Sequence, residues 1–231
     1  GSAYLGAETH PFRISADPNA ENFKIQNLAL ASGLFEERLD DRVSLLTGLD
    51  KLRKDVDASR VMDSIDSFNE LALSMITSED AREAFDLSHE SDKLRDRYGR
   101  HEWGQRAILA RRLVEVGVPW VTVVMENPYV SGIKMPDWGV YNWDSHAVNC
   151  HLFKDAEVRF PIYDQVITAL IEDIYDRGLD RRVLLVVTGE FGRTPRITVR
   201  PGTKSKIDQP GRDHWPRAMS MLVSGGGMRT G

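Results

Sequence analysis

Three short stretches of the chain carry side chains able to hold a cation or an anion. They are Trp143-Asp144-Ser145-His146, Thr188-Gly189-Glu190-Phe191-Gly192-Arg193-Thr194-Pro195 and Gly211-Arg212-Asp213-His214-Trp215-Pro216. Together they offer carboxylates and imidazoles, a mixture that zinc and manganese accept. Asp144, His146, Glu190 and His214 are the candidate metal ligands. Arg193 is the candidate contact for an anionic substrate, or it pairs with Glu190. Each stretch also has a plainer reading. An Asp-x-His loop forms turns with a hydrogen-bonded imidazole, Glu190 can cap or pair at a strand end, and His214 can pack under the indole of Trp215. Cys150-His151 invites a cysteine-nucleophile reading, but no orienting group is nearby in sequence, so a buried thiol is expected. Gly225-Gly226-Gly227 lacks the lysine and hydroxyl of a phosphate loop and reads as a turn.

The elements that must position these loops follow from periodicity. Residues 1–33 form an irregular lead-in broken by Gly6, Pro11 and Pro18. A helical segment covers 34–99: Leu39, Val43, Leu46, Leu49, Leu52 and Val56 mark one helix, and Val61, Ile65, Phe68, Leu71 and Met75 a second. Ser78-Glu79-Asp80 reads as the capped, acidic start of a third. Arg100 to Gly117 is a further amphipathic helix with Gly117 as its stop. Trp120 to Met125 has the composition of a strand, and Asn127 to Trp143 that of a long loop, which in a compact domain is more often functional than filler. Phe160 to Gly178 is the clearest helix, and it leads into the apolar run Val183 to Val187. Such a run suits a strand covered on both faces of a parallel sheet. Gly189 to Arg217 is irregular, and Met219 to Ser224 is a last strand. Helix alternating with strand implies an α/β fold over 34–231.

Glu190 follows the Val183–Val187 strand, at the sheet edge where α/β proteins bind ligands. His214 precedes the last strand. The two meet only if that last strand runs antiparallel, or if the intervening loop returns to the same edge.

Bulk properties exclude several classes of protein. The chain has 231 residues and a formal net charge of −5, so bulk charge gives no reason to expect a nucleic-acid surface. Its apolar runs fall far short of the roughly 20 residues that span a bilayer. One cysteine cannot make an intramolecular disulfide.

The run from Tyr163-Asp164-Gln165-Val166 through Leu179-Asp180-Arg181-Arg182 to Val187-Thr188-Gly189-Glu190-Phe191-Gly192 resembles the late core of the alkaline phosphatase and sulfatase superfamily. There a helix leads to an apolar strand ending in a Thr/Ser-Asp-His-Gly motif. Gly-Glu-Phe-Gly-Arg-Thr-Pro, then Gly-Arg-Asp-His-Trp-Pro, then a strand and three glycines, with Trp-Asp-x-His upstream, resemble the domain of unknown function 1501 family over nearly the whole chain.

The resemblance implies a three-layer α/β sandwich, alkaline-phosphatase-like, with a mostly parallel sheet flanked by helices. It also implies a two-metal site (zinc, manganese or calcium) at one sheet edge, acting on phosphate or sulfate esters. The implied partner is therefore an anionic ester, either a small molecule or a sulfated or phosphorylated polymer. By the same resemblance Asp144 and His146 sit at one metal, Glu190 stands in for the motif's aspartate, and His214 stands in for the later histidine. Two departures are evident. Phe191 occupies the place of the motif's histidine, and no Cys-x-Pro-x-Arg signature surrounds Cys150. No segment before Leu34 offers the superfamily's first strand and acidic metal motif. The chain is accordingly expected to be the C-terminal part of a longer protein, truncated at both ends, lacking the nucleophile and inactive alone. A non-catalytic binding or assembly module is the rival expectation, and an extracytoplasmic home is implied by family analogy only.

Overall fold

A computed structural model of the chain describes residues 11–25, 79–129, 131–136 and 142–229. It divides into two units, residues 1–16 with 23–86 and residues 17–22 with 87–231. In the first unit the described helix is α1 (Glu79–Phe85), within the stretch expected to form a third helix. Ser78 and the two helices expected over 39–75 lie outside the described residues.

The second unit opens with a 3-10 turn (Leu87–His89) and α2 (Asp92–Tyr98). The Ser91 hydroxyl accepts from the Leu94 amide at 3.2 Å and so satisfies one orphan donor of the first turn of α2. Next comes α3 (Glu102–Glu115), the helix expected from Arg100 to Gly117. His101 caps it, its Nδ1 accepting from the Gly104 amide at 3.2 Å. Gly117 stops it at φ 97, in the left-handed region that glycine enters without penalty.

Helix α4 (Leu152–Asp176) starts eight residues before the expected Phe160, His151 being its cap. Its early turns escaped the periodicity because their inward positions are charged: Asp155 and Arg159 are both buried. They pair one turn apart at 3.0 Å, an arrangement that an apolar-stripe argument cannot register. Tyr98, Trp103, Ile108 and Leu113 from α2 and α3, with Val166, Leu170 and Ile174 from α4, form the buried core.

A charged cluster runs through these helices. Arg111, whose side chain is 1% exposed, pairs with Glu90 at 2.8 Å and with Asp173 at 2.9 Å. It also donates to Glu115 at 2.5 Å. Arg112 reaches Glu90 at 2.6 Å, and Arg177 pairs with Asp173 at 2.7 Å and Glu115 at 3.1 Å. The Tyr98 hydroxyl donates to Asp173 at 3.0 Å. Burial raises the Tyr98 phenol well above its ordinary range, and the neighbouring Asp173 carboxylate raises it further. Three guanidiniums thus neutralise three carboxylates.

The strands form three antiparallel pairs. β1 (Leu184–Thr188) pairs with β6 (Met221–Gly225), in register from Leu184–Gly225 to Thr188–Met221. β2 (Gly192–Arg193) pairs with β5 (His214–Trp215), and β3 (Thr198–Pro201) pairs with β4 (Asp208–Gly211). Two expectations are corrected. Trp120 to Met125 alternates in exposure, yet it forms no strand and pairs with none among the described residues. Its composition supplies β preference, but a ladder needs a partner. The Val183–Val187 run is also not covered on both faces, since Leu184 is 52% and Val186 47% exposed. The stretch read as irregular, Gly189 to Arg217, carries four of the six strands. All are two to four residues long and rich in Gly, Pro and charge, which hides them from pattern reading.

Candidate metal centre

The antiparallel pairing of β1 with β6 brings the end of the first strand beside the start of the last, Thr188 opposite Met221. Residues just after β1 and just before β6 therefore share one edge, as the sequence required for His214 to approach the Glu190 stretch. Beyond that edge β2 and β5 pair with Gly192 opposite Trp215 and Arg193 opposite His214. Gly192 is needed there because a Cβ would lie 2.5 Å from the Ala218 carbonyl oxygen, to which its own amide donates.

The turn from Asp144 to Cys150 is held from two sides. On one side Trp143 is wedged among aromatic rings. It stacks on Trp103 with centroids 5.7 Å apart and meets Phe160 and Tyr163 at 5.9 and 5.8 Å. The Arg159 guanidinium lies 4.7 Å from its ring centroid, a cation–π contact. On the other side the β3–β4 hairpin grips the turn's backbone. Buried Gln209 donates to the Ala147 carbonyl at 2.7 Å, the Arg212 amide to Ser145 at 3.1 Å, and the Thr203 amide to Val148 at 2.8 Å. Gly211 permits this approach, since a Cβ there would overlap the backbone nitrogen of Ala147.

At the junction, ligand atoms of Asp144, His146 and His214 all lie within 4.8 Å of one another. Asp144 Oδ1 is the hub: His146 Nδ1 is 2.7 Å away, His214 Nε2 2.8 Å, and the Arg193 guanidinium donates to it at 2.9 Å. The two imidazoles meet edge to face at 5.5 Å. Burial opposes the charge on Asp144, but hydrogen bonds from His214, Arg193 and His146 outweigh it and hold the carboxyl at about 2. The carboxylate is therefore ionised throughout the neutral range, as a cation ligand must be.

The donor set fits a divalent cation. Two imidazole nitrogens and one carboxylate oxygen, with a position left open, make the three-ligand pattern of catalytic zinc sites. Ligand atoms around a tetrahedral ion with bonds of about 2.0–2.1 Å stand about 3.3 Å apart. The 2.7 and 2.8 Å contacts would thus open by roughly half an ångström. Nitrogen donors favour zinc or manganese over calcium, which takes oxygen.

Two expected residues take other places. Glu190 lies exposed on the link between β1 and β2 and does not join the converging ligand atoms. The chain turns after Thr188 and pairs again only from Gly192, so the ladder delivers Arg193, not Glu190, to His214. Arg193 is itself held by further bonds. Besides Asp144 it donates to the carbonyls of Arg212 at 3.2 Å and Trp143 at 3.1 Å. Phe191 packs against His214 with ring centroids 4.6 Å apart and walls the imidazole on one side. Cys150 is buried, and burial, with Asp155 nearby, pushes its thiol up to about 12, the reverse of an activated nucleophile.

Sequence reasoning missed three supporting residues. The clamp role of Arg193 and the grip of Gln209 depend on a hairpin that the sequence does not announce. Trp143 stood inside a quoted motif, but its aromatic setting could not be read from one sequence. Because Arg193 orients Asp144 from outside the ligand set, Arg193→Gln is expected to weaken divalent-cation binding about 10- to 100-fold, the usual cost of losing a group that orients a ligand. Competitive titration against a fluorescent chelator measures this, and an unchanged affinity would reduce the clamp to a packing feature.

Two imidazoles and a carboxylate, braced by a clamped guanidinium at the edge of short antiparallel ladders, define a candidate divalent-cation centre on a helical body. The chain belongs to the family described as protein of unknown function (DUF1501), whose model matches residues 1–231. No curated protein and no solved structure matches it. Among the described residues no helix is long and apolar enough to cross a membrane.

Proposed function

We propose that this chain carries the metal-binding part of a metal-dependent hydrolase of phosphate or sulfate esters, within the alkaline phosphatase and sulfatase-like superfamily. The observation that carries the reading is the convergence of Asp144, His146 and His214, drawn from two distant loops, within 4.8 Å. The order of the three motifs along the chain supports the superfamily, and that part of the reading rests on sequence alone, since the strand pairs among the described residues are all antiparallel, not the mostly parallel sheet the resemblance implies.

Asp144, His146 and His214 would hold the cation. When bound, it supplies Lewis-acid stabilisation of charge on the transferred group. The chain's own residues do the rest. Arg193 keeps Asp144 ionised and fixed, while Phe191 and the β2–β5 ladder fix His214. His146 Nδ1 and His214 Nε2 can each bind a cation only in the tautomer that leaves that nitrogen without a proton, so loading exchanges their hydrogen bonds to Asp144 Oδ1 for bonds to the ion.

A second reading, a non-catalytic binding or assembly module, is favoured by Phe191, which sits against His214 where the resembled motif has a histidine. An ester screen separates the two. In the full-length protein with zinc or manganese supplied, p-nitrophenyl phosphate or p-nitrophenyl sulfate is expected to be turned over, His214→Ala to abolish turnover, and Glu190→Ala to leave it nearly unchanged. Cation binding by the full-length protein without turnover of either ester selects the non-catalytic module.

A further inference from the structure

A metal centre that acts on an anionic ester gains from a second cationic group for the anion, and both nearby arginines are turned toward partners within the protein. Arg193 spends its guanidinium on Asp144 and on two carbonyls. Arg212 is likewise tied down, donating to the carbonyls of Thr194 and Arg193. Beside the cluster, however, a cavity of about 240 Å³ is lined by Asp144, His146, Val148, Asn149, Thr203 and Lys204. Lys204 is exposed and takes part in no ion pair among the described residues. Its loop is not loose against the site, because the Thr203 amide donates to the Val148 carbonyl at 2.8 Å. Gln209, at the far end of the same hairpin turn, is anchored on Ala147 at 2.7 Å. The hairpin therefore fixes the backbone beside Lys204 relative to the ligand-bearing turn.

We infer that Lys204 is the anion-recognising residue of this site, seating a tetrahedral oxyanion in the cavity it shares with Asp144 and His146. The inference rests on the proposed metal-dependent reading. The size of the cavity narrows the ligand: it lies below the roughly 300–1,000 Å³ typical of pockets that enclose a whole drug-sized molecule. It is nonetheless ample for a head group with water, a single water needing on the order of 10–15 Å³. The site would take the phosphate or sulfate end of an ester and leave the remainder outside. A lysine meets such a group as a compact point charge with three rotatable donors, which asks less of geometry than an arginine fork.

Calorimetric titration of the chain with inorganic phosphate and with sulfate, each with and without prior zinc loading, tests this. In the zinc-loaded protein Lys204→Ala is expected to weaken oxyanion binding about tenfold or more, the scale of one charge-assisted hydrogen bond. Lys204→Arg should restore most of it, and zinc affinity should be unchanged in both variants. Lys206→Ala removes the same charge two residues away, outside the cavity lining, and should change nothing. Equal effects of Lys204→Ala and Lys206→Ala, or no effect of Lys204→Ala, would overturn the assignment. Failure of the wild-type chain to take up zinc would instead overturn the metal-dependent reading. A Lys204-dependent oxyanion isotherm in the metal-free arm would then keep the seat, and its absence would remove both.

Discussion

Replacing His214 with alanine is expected to lower divalent-cation affinity by more than about a hundredfold, beyond what loss of an orienting group outside the ligand set costs. His214 Nε2 is one of three ligand atoms that converge on the site among the described residues, and two remaining ligands do not make a closed or a catalytic zinc site. Asp144→Asn should act as strongly. It keeps the shape of the side chain but removes the negative charge on which two imidazoles and a guanidinium converge. Glu190→Ala is the matched control, since that residue is exposed and outside the cluster. Chelator-competition titrations read all three variants on one scale. A fall in Glu190→Ala as large as in His214→Ala would move the site to the β1–β2 link.

The largest expected effect on stability lies far from the site, in the charged cluster of the helices. Arg111→Met leaves Glu90, Glu115 and Asp173 short of one guanidinium, and removing one partner of a buried pair costs about 3–5 kcal/mol. That is a large fraction of the 5–15 kcal/mol that holds an ordinary domain together. The methionine fills part of the space, so the loss is chiefly electrostatic, and urea unfolding should show it as a lowered midpoint with little change in slope.

The same cluster sets an acid limit. Burial pushes the Glu90 carboxyl up, but hydrogen bonds from Arg112 and Arg111 and their charges push it down further, below its ordinary 4.5. A carboxyl depressed in the fold contributes stability that is fully present above its unfolded value and is lost as the pH falls through the folded one. Unfolding free energy should therefore decline below about pH 4.5 in the wild type and more shallowly in Glu90→Gln. A pH-independent difference between the two proteins would mean that Glu90 contributes packing alone.

Residue types and spacing carried the site further than the fold. Asp144, His146 and His214 were legible because carboxylates and imidazoles beside tryptophan, glycine and proline stand out in any sequence. The geometric condition on the last strand was legible too, since two loops meet at one edge only when their strands run in opposite directions or the chain returns. Glu190 misled because position after a strand says nothing about where the next ladder begins. That ladder starts at Gly192 and delivers Arg193. Helices announced themselves where an apolar stripe runs along the buried face, as Trp103, Ala107, Ile108, Leu109 and Leu113 do on α3 despite its buried Arg111, and failed to where buried Asp155 and Arg159 replace the stripe. The short strands were invisible because two to four residues carry too little period to read. Their existence is decided by partners such as Gln209 and Gly211, whose role comes from a turn some 60 residues earlier in the chain.

One measurement bears most directly on the convergence of the three ligands. The chain should be titrated with cobalt(II) in place of zinc, following the visible absorption that reports coordination number. A single equivalent bound with the intense bands of a four- or five-coordinate nitrogen and oxygen site, lost in both Asp144→Asn and His214→Ala, is the predicted result. Weak, octahedral-type absorption that persists unchanged in both variants would mean that the imidazoles and the carboxylate meet only each other.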